Sequence, residues 1–137
     1  MNPITFLVAE DDDVDMISIE RAMKRMRLKN PMVRAKNGFD ALEILHGTGD
    51  APALNPPYIV LLDLNMPRMN GMEFLTELRK HPVTKTTRVF VLTTSETDQD
   101  IINAHSHNIS GYIFKSDLLG SLSEAIDSLE DNWVLLE

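Results

Sequence analysis

Residues 59–71 read Ile59-Val60-Leu61-Leu62-Asp63-Leu64-Asn65-Met66-Pro67-Arg68-Met69-Asn70-Gly71. The run Ile59–Leu62 is apolar with no polar alternation, the pattern of a strand buried on both faces of a parallel sheet. After Asn70-Gly71 the period changes, and Phe74, Leu75 and Leu78 form a helical stripe. Three further apolar runs resemble the first: Phe6–Ala9, Val89–Leu92 and Tyr112–Phe114, with a weaker strand expected at Met32–Ala35.

Helical stripes lie between these runs. Met16, Ile19, Met23 and Met26 repeat at three and four residues, as do Leu42 and Leu45 behind a candidate cap, Asn37. Ile101, Ile102 and His105 suggest a fourth helix that Asn108 can end in the left-handed conformation, and Leu118, Leu122, Ala125, Ile126 and Leu129 a fifth. The methionines on these stripes read as core. Strand and helix thus alternate five times, which predicts an α/β fold with a parallel sheet and right-handed crossovers. The connection His46–Pro57, with three prolines, is expected at the amino ends of the strands.

The chain has 137 residues, enough for one domain with its own core. It has no cysteine, which excludes disulfides, thiolate catalysis and zinc–sulfur sites. The first residues, MNPITFLVAEDDD, carry no basic segment ahead of the short apolar stretch, so neither a signal peptide nor a transmembrane helix is expected, and a cytoplasmic location is. A formal charge of −8 argues against general nucleic-acid binding. The acids are not spread evenly: Glu10 to Asp15 hold five carboxylates in six positions, which repel unless water, a helix start or a metal accommodates them.

In a parallel sheet all carboxyl ends share one edge, and ligands bind there near the reversal of strand order. The residues following the four strong runs are Glu10 and Asp11, then Asp63, then Thr93 and Thr94, then Lys115. Each alone has an ordinary explanation. An acid after a strand is commonly a helix cap, and Asp12 or Asp13 fits that for the first helix; a lone Lys is commonly solvated. Together, two carboxylates, a third, a hydroxyl and an ammonium make a site. A pair of carboxylates ~4 Å apart repels by roughly 4 kcal/mol at an effective dielectric near 20. Lys115 offsets one of the three charges and a divalent cation the other two. Oxygen ligands completed by water suit Mg²⁺, which shares itself readily with phosphate oxygens. Asp63 is then a candidate nucleophile for an acyl phosphate, with Mg²⁺ and Lys115 stabilising the transferring group and Thr93 donating to it.

With these residues in place the sequence resembles the receiver domains of bacterial two-component response regulators, from Phe6 to about Leu129. The matching stretches are Phe-Leu-Val-Ala-Glu10-Asp11, Val-Leu-Leu-Asp63-Leu-Asn65-Met-Pro67-Arg-Met-Asn-Gly71, Val-Leu-Thr93-Thr94-Ser95 and Gly111-Tyr112-Ile-Phe-Lys115. The resemblance implies a flavodoxin-like, doubly wound sheet of five parallel strands in the order 2-1-3-4-5, with five helices. It implies that Asp63 is the phosphoacceptor. Asp11 binds Mg²⁺ (or a substituting divalent cation) directly, Glu10 does so through water, and Asn65 offers its backbone carbonyl. Lys115 pairs with Asp63 and then with the phosphoryl group, while Thr93 and Tyr112 form the switch and Pro67 and Gly71 shape the turn beside the site. The implied donor is a sensor histidine kinase or a phosphotransfer protein, and either output passes to a downstream protein partner or the domain serves as a phosphate shuttle or sink. Tyr112 also has simpler readings, as an edge-strand aromatic or a partner-facing ring.

Three features depart from the common pattern. Ser116 follows Lys115 where most receivers have Pro, and a trans peptide is expected there. The connection before the third strand is long. The tail Asp131-Asn-Trp133-Val-Leu-Leu-Glu137 is apolar, and either packs on its own domain or contributes to a homodimer. The Lys-Ser step and this tail are similar to single-domain regulators that partner phytochrome-type kinases. The expected organisation is one domain over 1–137, with no output domain after Glu137, and self-phosphorylation as its only chemistry.

Rival readings meet specific obstacles. A Mg²⁺-dependent phosphatase of the aspartyl-phosphate type carries a second Asp two residues after its nucleophile, where this chain has Asn65. A flavodoxin-like cofactor binder needs a phosphate-accepting first loop, but here that loop is crowded with acids and has no glycine. A receiver-like domain that never takes phosphate has no need for the full set of acids, Thr93 and Lys115. His105-x-His107 points to two sides of a helix, and the four histidines read as ordinary residues.

Overall fold

A computed structural model of the chain describes residues 3–94 and 99–129, without the side chains of 100 and 102. Ser95, the side chain of Ile102 and the tail 131–137 lie outside the described residues. The elements alternate as β1 (Thr5–Ala9), α1 (Asp13–Arg25), β2 (Met32–Ala35), α2 (Gly38–His46), β3 (Tyr58–Asp63), α3 (Gly71–Lys80), β4 (Val89–Thr93), α4 (Gln99–His105), β5 (Gly111–Phe114) and α5 (Leu118–Asp127). A single 3₁₀ turn, Lys115–Asp117, joins β5 to α5. All strand pairs are parallel, in the order β2-β1-β3-β4-β5. No helix among the described residues is long and apolar enough to cross a membrane.

The unalternating strands are explained by a core on each face. Phe6, Val8, Ile59, Leu61, Phe90, Leu92 and Ile113 point toward α1 and α5. Leu7, Ala9, Val60, Leu62, Val89 and Val91 point the other way, toward α2 and α3. Successive side chains on a strand take opposite faces, so covering both requires apolar residues throughout.

Local chemistry sets the helix ends. Asp12 caps α1, accepting from the backbone N–H of Val14 and Asp15; Asn37 caps α2; Asn70 and Glu73 form a capping box on α3. Asn108 takes φ 60° beyond α4, as its side chain allows. The fourth stripe differs from expectation. Ile101 and Ala104 enter the core, whereas His105 is exposed and lies edge-on to Tyr112. The connection after His46 returns to the amino end of β3, and the Lys115–Ser116 peptide is trans. Arg79 closes the same end of the sheet. Its guanidinium donates to the carbonyls of Thr87 (2.8 Å), Lys85 (3.1 Å), His107 (2.9 Å) and Asn108 (3.2 Å).

Gly71 lets α3 start directly beneath β3. A Cβ there would lie 2.6 Å from Leu64 Cα and 2.7 Å from the Asp63 carbonyl oxygen. Backbone at both contacts cannot yield cheaply. Gly71→Ala is therefore expected to cost about 1–3 kcal/mol in urea unfolding, and a cost within error of zero would show that the turn relaxes freely.

Candidate functional site

Register alone brings the first two strand ends together. Ala9 pairs with Leu62, so Glu10 and Asp63 leave adjacent strands side by side at the reversal of strand order. Asp63 pairs with Leu92 and Thr93 with Phe114, so Thr93 and Lys115 follow on the same edge. All the strand-end residues singled out in the sequence therefore converge. Asp63, Leu64, Asn65, Leu92, Thr93, Thr94 and Lys115 line a cleft of about 120 Å³.

Glu10, Asp63 and Thr93 are buried and Asp11 is exposed. Ligand oxygens of Glu10, Asp11 and Asp63 all lie within 4.8 Å of one another. Burial, followed by the hydrogen bond and charge of Asp63, pushes the Glu10 carboxyl up to about 7 against the pull of Lys115. One oxygen of Asp63 is held by the backbone N–H of Asn65 at 3.0 Å.

Lys115 Nζ touches three carboxylates: Glu10 Oε1 at 2.7 Å, Asp15 Oδ2 at 2.8 Å and Asp63 Oδ2 at 3.4 Å. Burial alone would lower the ammonium pKa, but the hydrogen bond to Asp15, the close contact with Glu10 and the charge of Asp63 outweigh it and hold the group protonated. The Glu10 contact is close but not aligned as a hydrogen bond, so Glu10 Oε1 is buried with no hydrogen-bond donor. A buried carboxylate oxygen left in this state, in a group of three with one ammonium, fits a hard divalent cation.

Two functional residues were not singled out in the sequence. Asp15 lies in the first turn of α1, where an acid is already accounted for by the helix dipole, so nothing in its spacing set it apart. Arg34 lies on the edge strand β2 and supports the acidic loop, donating to the carbonyls of Glu10 (3.0 Å) and Asp11 (3.2 Å) and pairing with Asp13 at 2.8 Å. The crowded run is thus divided: Glu10 and Asp11 serve the cluster, Asp12 the helix start, Asp13 Arg34 and Asp15 Lys115. The Tyr112 hydroxyl donates to the Ile101 carbonyl at 2.9 Å, its ring half-buried on the edge strand β5. The histidines hold one pairing that spacing concealed: the rings of His46 and His81 stack with centroids 3.9 Å apart.

A divalent cation is expected to raise the melting temperature of the wild-type chain, by about 2.7 kcal/mol of stability at a hundredfold excess over Kd. Asp11→Asn should lose most of that rise, yet be at least as stable as wild type in chelator, because a repulsion is removed. Thermal unfolding with and without the cation checks both arms.

Comparison with known proteins agrees with this arrangement. Residues 6–127 match the family described as response regulator receiver domain. The response regulator Rcp1 of Synechocystis sp. is 29% identical over 132 residues, covering 96% of this chain and 90% of its own. The structure of the bacteriophytochrome response regulator AtBRR superposes with a TM-score of 0.86 at 27% identity, covering 100% of this chain and 99% of that one. The Mn(2+)-bound form of Rcp1 gives a TM-score of 0.81 at 26% identity, covering 98% of this chain and 100% of that one. The chain belongs to the response regulator receiver domain family and serves two-component signal transduction.

Proposed function

We propose that this chain takes a phosphoryl group onto Asp63 from a sensor histidine kinase of the phytochrome type, directly or through a phosphotransfer protein. The observation that carries the reading is the Asp63 carboxylate, held between the acids Glu10 and Asp11 and the Lys115 ammonium at 3.4 Å. Similarity to Rcp1 and to a bacteriophytochrome response regulator supports the kinase class. The chain acts as a single domain in the cytoplasm and signals by contact with a partner protein.

An Asp63 oxygen attacks the phosphorus of the donor phosphohistidine. The P–N bond breaks, its electron pair stays on the imidazole, and the phosphoryl group remains as an acyl phosphate. Asp11, Asp63 and the Asn65 carbonyl would hold Mg²⁺ directly and Glu10 through water, and the ion would supply charge neutralisation when bound. The cluster and the Mn(2+)-bound form of Rcp1 support a divalent ion. Lys115 follows the charge onto the phosphoryl oxygens, and Thr93 donates to one of them. Asn65 supplies no second acid for a phosphatase acting on other substrates, so the chemistry is confined to the domain's own phosphorylation and its reversal.

Phosphorylation adds roughly two negative charges and strong acceptor oxygens. Thr93 and Lys115 reach those oxygens by moving their loops, which shifts Tyr112 and the face formed by α4, β5 and α5.

Incubation with Mg²⁺ and a small phosphodonor should yield a phosphoryl adduct by intact mass that Asp63→Asn lacks; an equal adduct in Asp63→Asn overturns the assignment. A phytochrome-type kinase should label the wild-type chain, and failure while the small donor succeeds removes the kinase class alone. Thr93→Ala should still take phosphate but lose most of the shift in Tyr112 resonances on phosphorylation. A full shift in that variant would refute the role given to Thr93.

A further inference from the structure

We propose that Asp15 is a positioning residue that holds the Lys115 ammonium on the α1 side of the cleft and competes with the phosphoryl group for it. The inference deepens the reading of Asp63 as phosphoacceptor and rests on it. Lys115 Nζ donates to Asp15 Oδ2 at 2.8 Å and reaches Asp63 Oδ2 only at 3.4 Å. With Glu10 Oε1 at 2.7 Å as well, the ammonium sits nearer Asp15 and Glu10 than the Asp63 carboxylate.

Asp15 is outside the group of oxygens that could share a cation, which is Glu10, Asp11 and Asp63. Its carboxylate thus serves the lysine and not the metal. It is also poorly placed to follow if Lys115 moves. Its backbone N–H is bound to the Asp12 side chain at 3.2 Å in the first turn of α1, and the next residue, Met16, is anchored in the core. The pair is partly screened, with side chains 16% exposed for Lys115 and 35% for Asp15. That is enough shelter to hold the lysine and little enough to release it.

A phosphoryl group on Asp63 draws Lys115 toward its oxygens. With Asp15 charged, this movement weakens an existing ion pair. With a neutral side chain of the same shape, it does not. Asp15 therefore lowers the affinity of the site for the phosphoryl group while keeping its lysine in reach.

The test is titration of the full chain, in saturating Mg²⁺, with trifluoroberyllate as the tetrahedral phosphoryl mimic. Asp15→Asn should bind it roughly 2–5-fold more tightly than wild type, the range expected for release of one partly exposed ion pair. Asp15→Glu, which restores the charge, should return the affinity to within about twofold of wild type. Asp117→Asn makes the same charge change on an exposed residue of the 3₁₀ turn and should leave it unmoved. Unchanged or weaker binding in Asp15→Asn, or an equal gain in Asp117→Asn, overturns the proposal. If the wild-type chain does not bind trifluoroberyllate while Mg²⁺ binding is intact, the reading of Asp63 fails and takes this one with it.

Discussion

One ammonium faces three carboxylates at the carboxyl edge of the sheet, and the remaining features of the site follow from that imbalance. Lys115 cannot neutralise Glu10, Asp15 and Asp63 together. Burial first, and then the neighbouring Asp63, raises the affinity of Glu10 for a proton, and the uncompensated carboxylates make the same place attractive to a divalent cation. A cation relieves the imbalance, and a phosphoryl group on Asp63 would reverse the relief and redraw the contacts of Lys115.

The fold maintains the imbalance at little cost elsewhere. β1 and β3 are adjacent because the chain reverses direction across the sheet between them, so their carboxyl ends open onto a crevice without a crossover above it. Apolar residues on both faces fix the register that sets Glu10 beside Asp63. Backbone donors and Arg34 hold the acidic loop from behind: Arg34 grips the carbonyls of Glu10 and Asp11, and Asn65 N–H grips Asp63. Repulsion among the acids is thereby opposed at the backbone, and Arg34 also offsets the charge of Asp13. Away from the site the structure is tied differently. Arg79 binds carbonyls before β4 and after α4, anchoring the end of that helix remote from the cleft. A rearrangement driven from Asp63 would therefore act on the near end, where Tyr112 is tied to the Ile101 carbonyl.

Much of this was legible in residue order. Four apolar runs without alternation specified a sheet covered on both faces, because a half-exposed strand cannot be apolar throughout. Asp63, Thr93 and Lys115 were recognisable because each ends such a run, and parallel strands put their carboxyl ends on one edge. Caps at Asn37 and Asn70 follow from side-chain chemistry within three residues and need no tertiary information. The long connection 46–57 and the trans peptide after Lys115 could likewise be anticipated from proline placement.

What residue order left open was how five acids in six positions are shared out. Sequence position separates Glu10 and Asp11, at the strand end, from a cap at Asp12 or Asp13, but it names no partner for Asp13 or Asp15. The folded chain gives the helix start to Asp12, and it alone turns Asp13 to Arg34 on a neighbouring strand and Asp15 to a lysine one hundred residues away. His46 and His81 are a similar case, distant in the chain and stacked in space. Local pattern determines periodicity, caps and strand ends because those depend on a few adjacent residues. Partner choice for a charge depends on which elements lie within a few ångströms, and only the packing of α1 against β2 and β5 decided that.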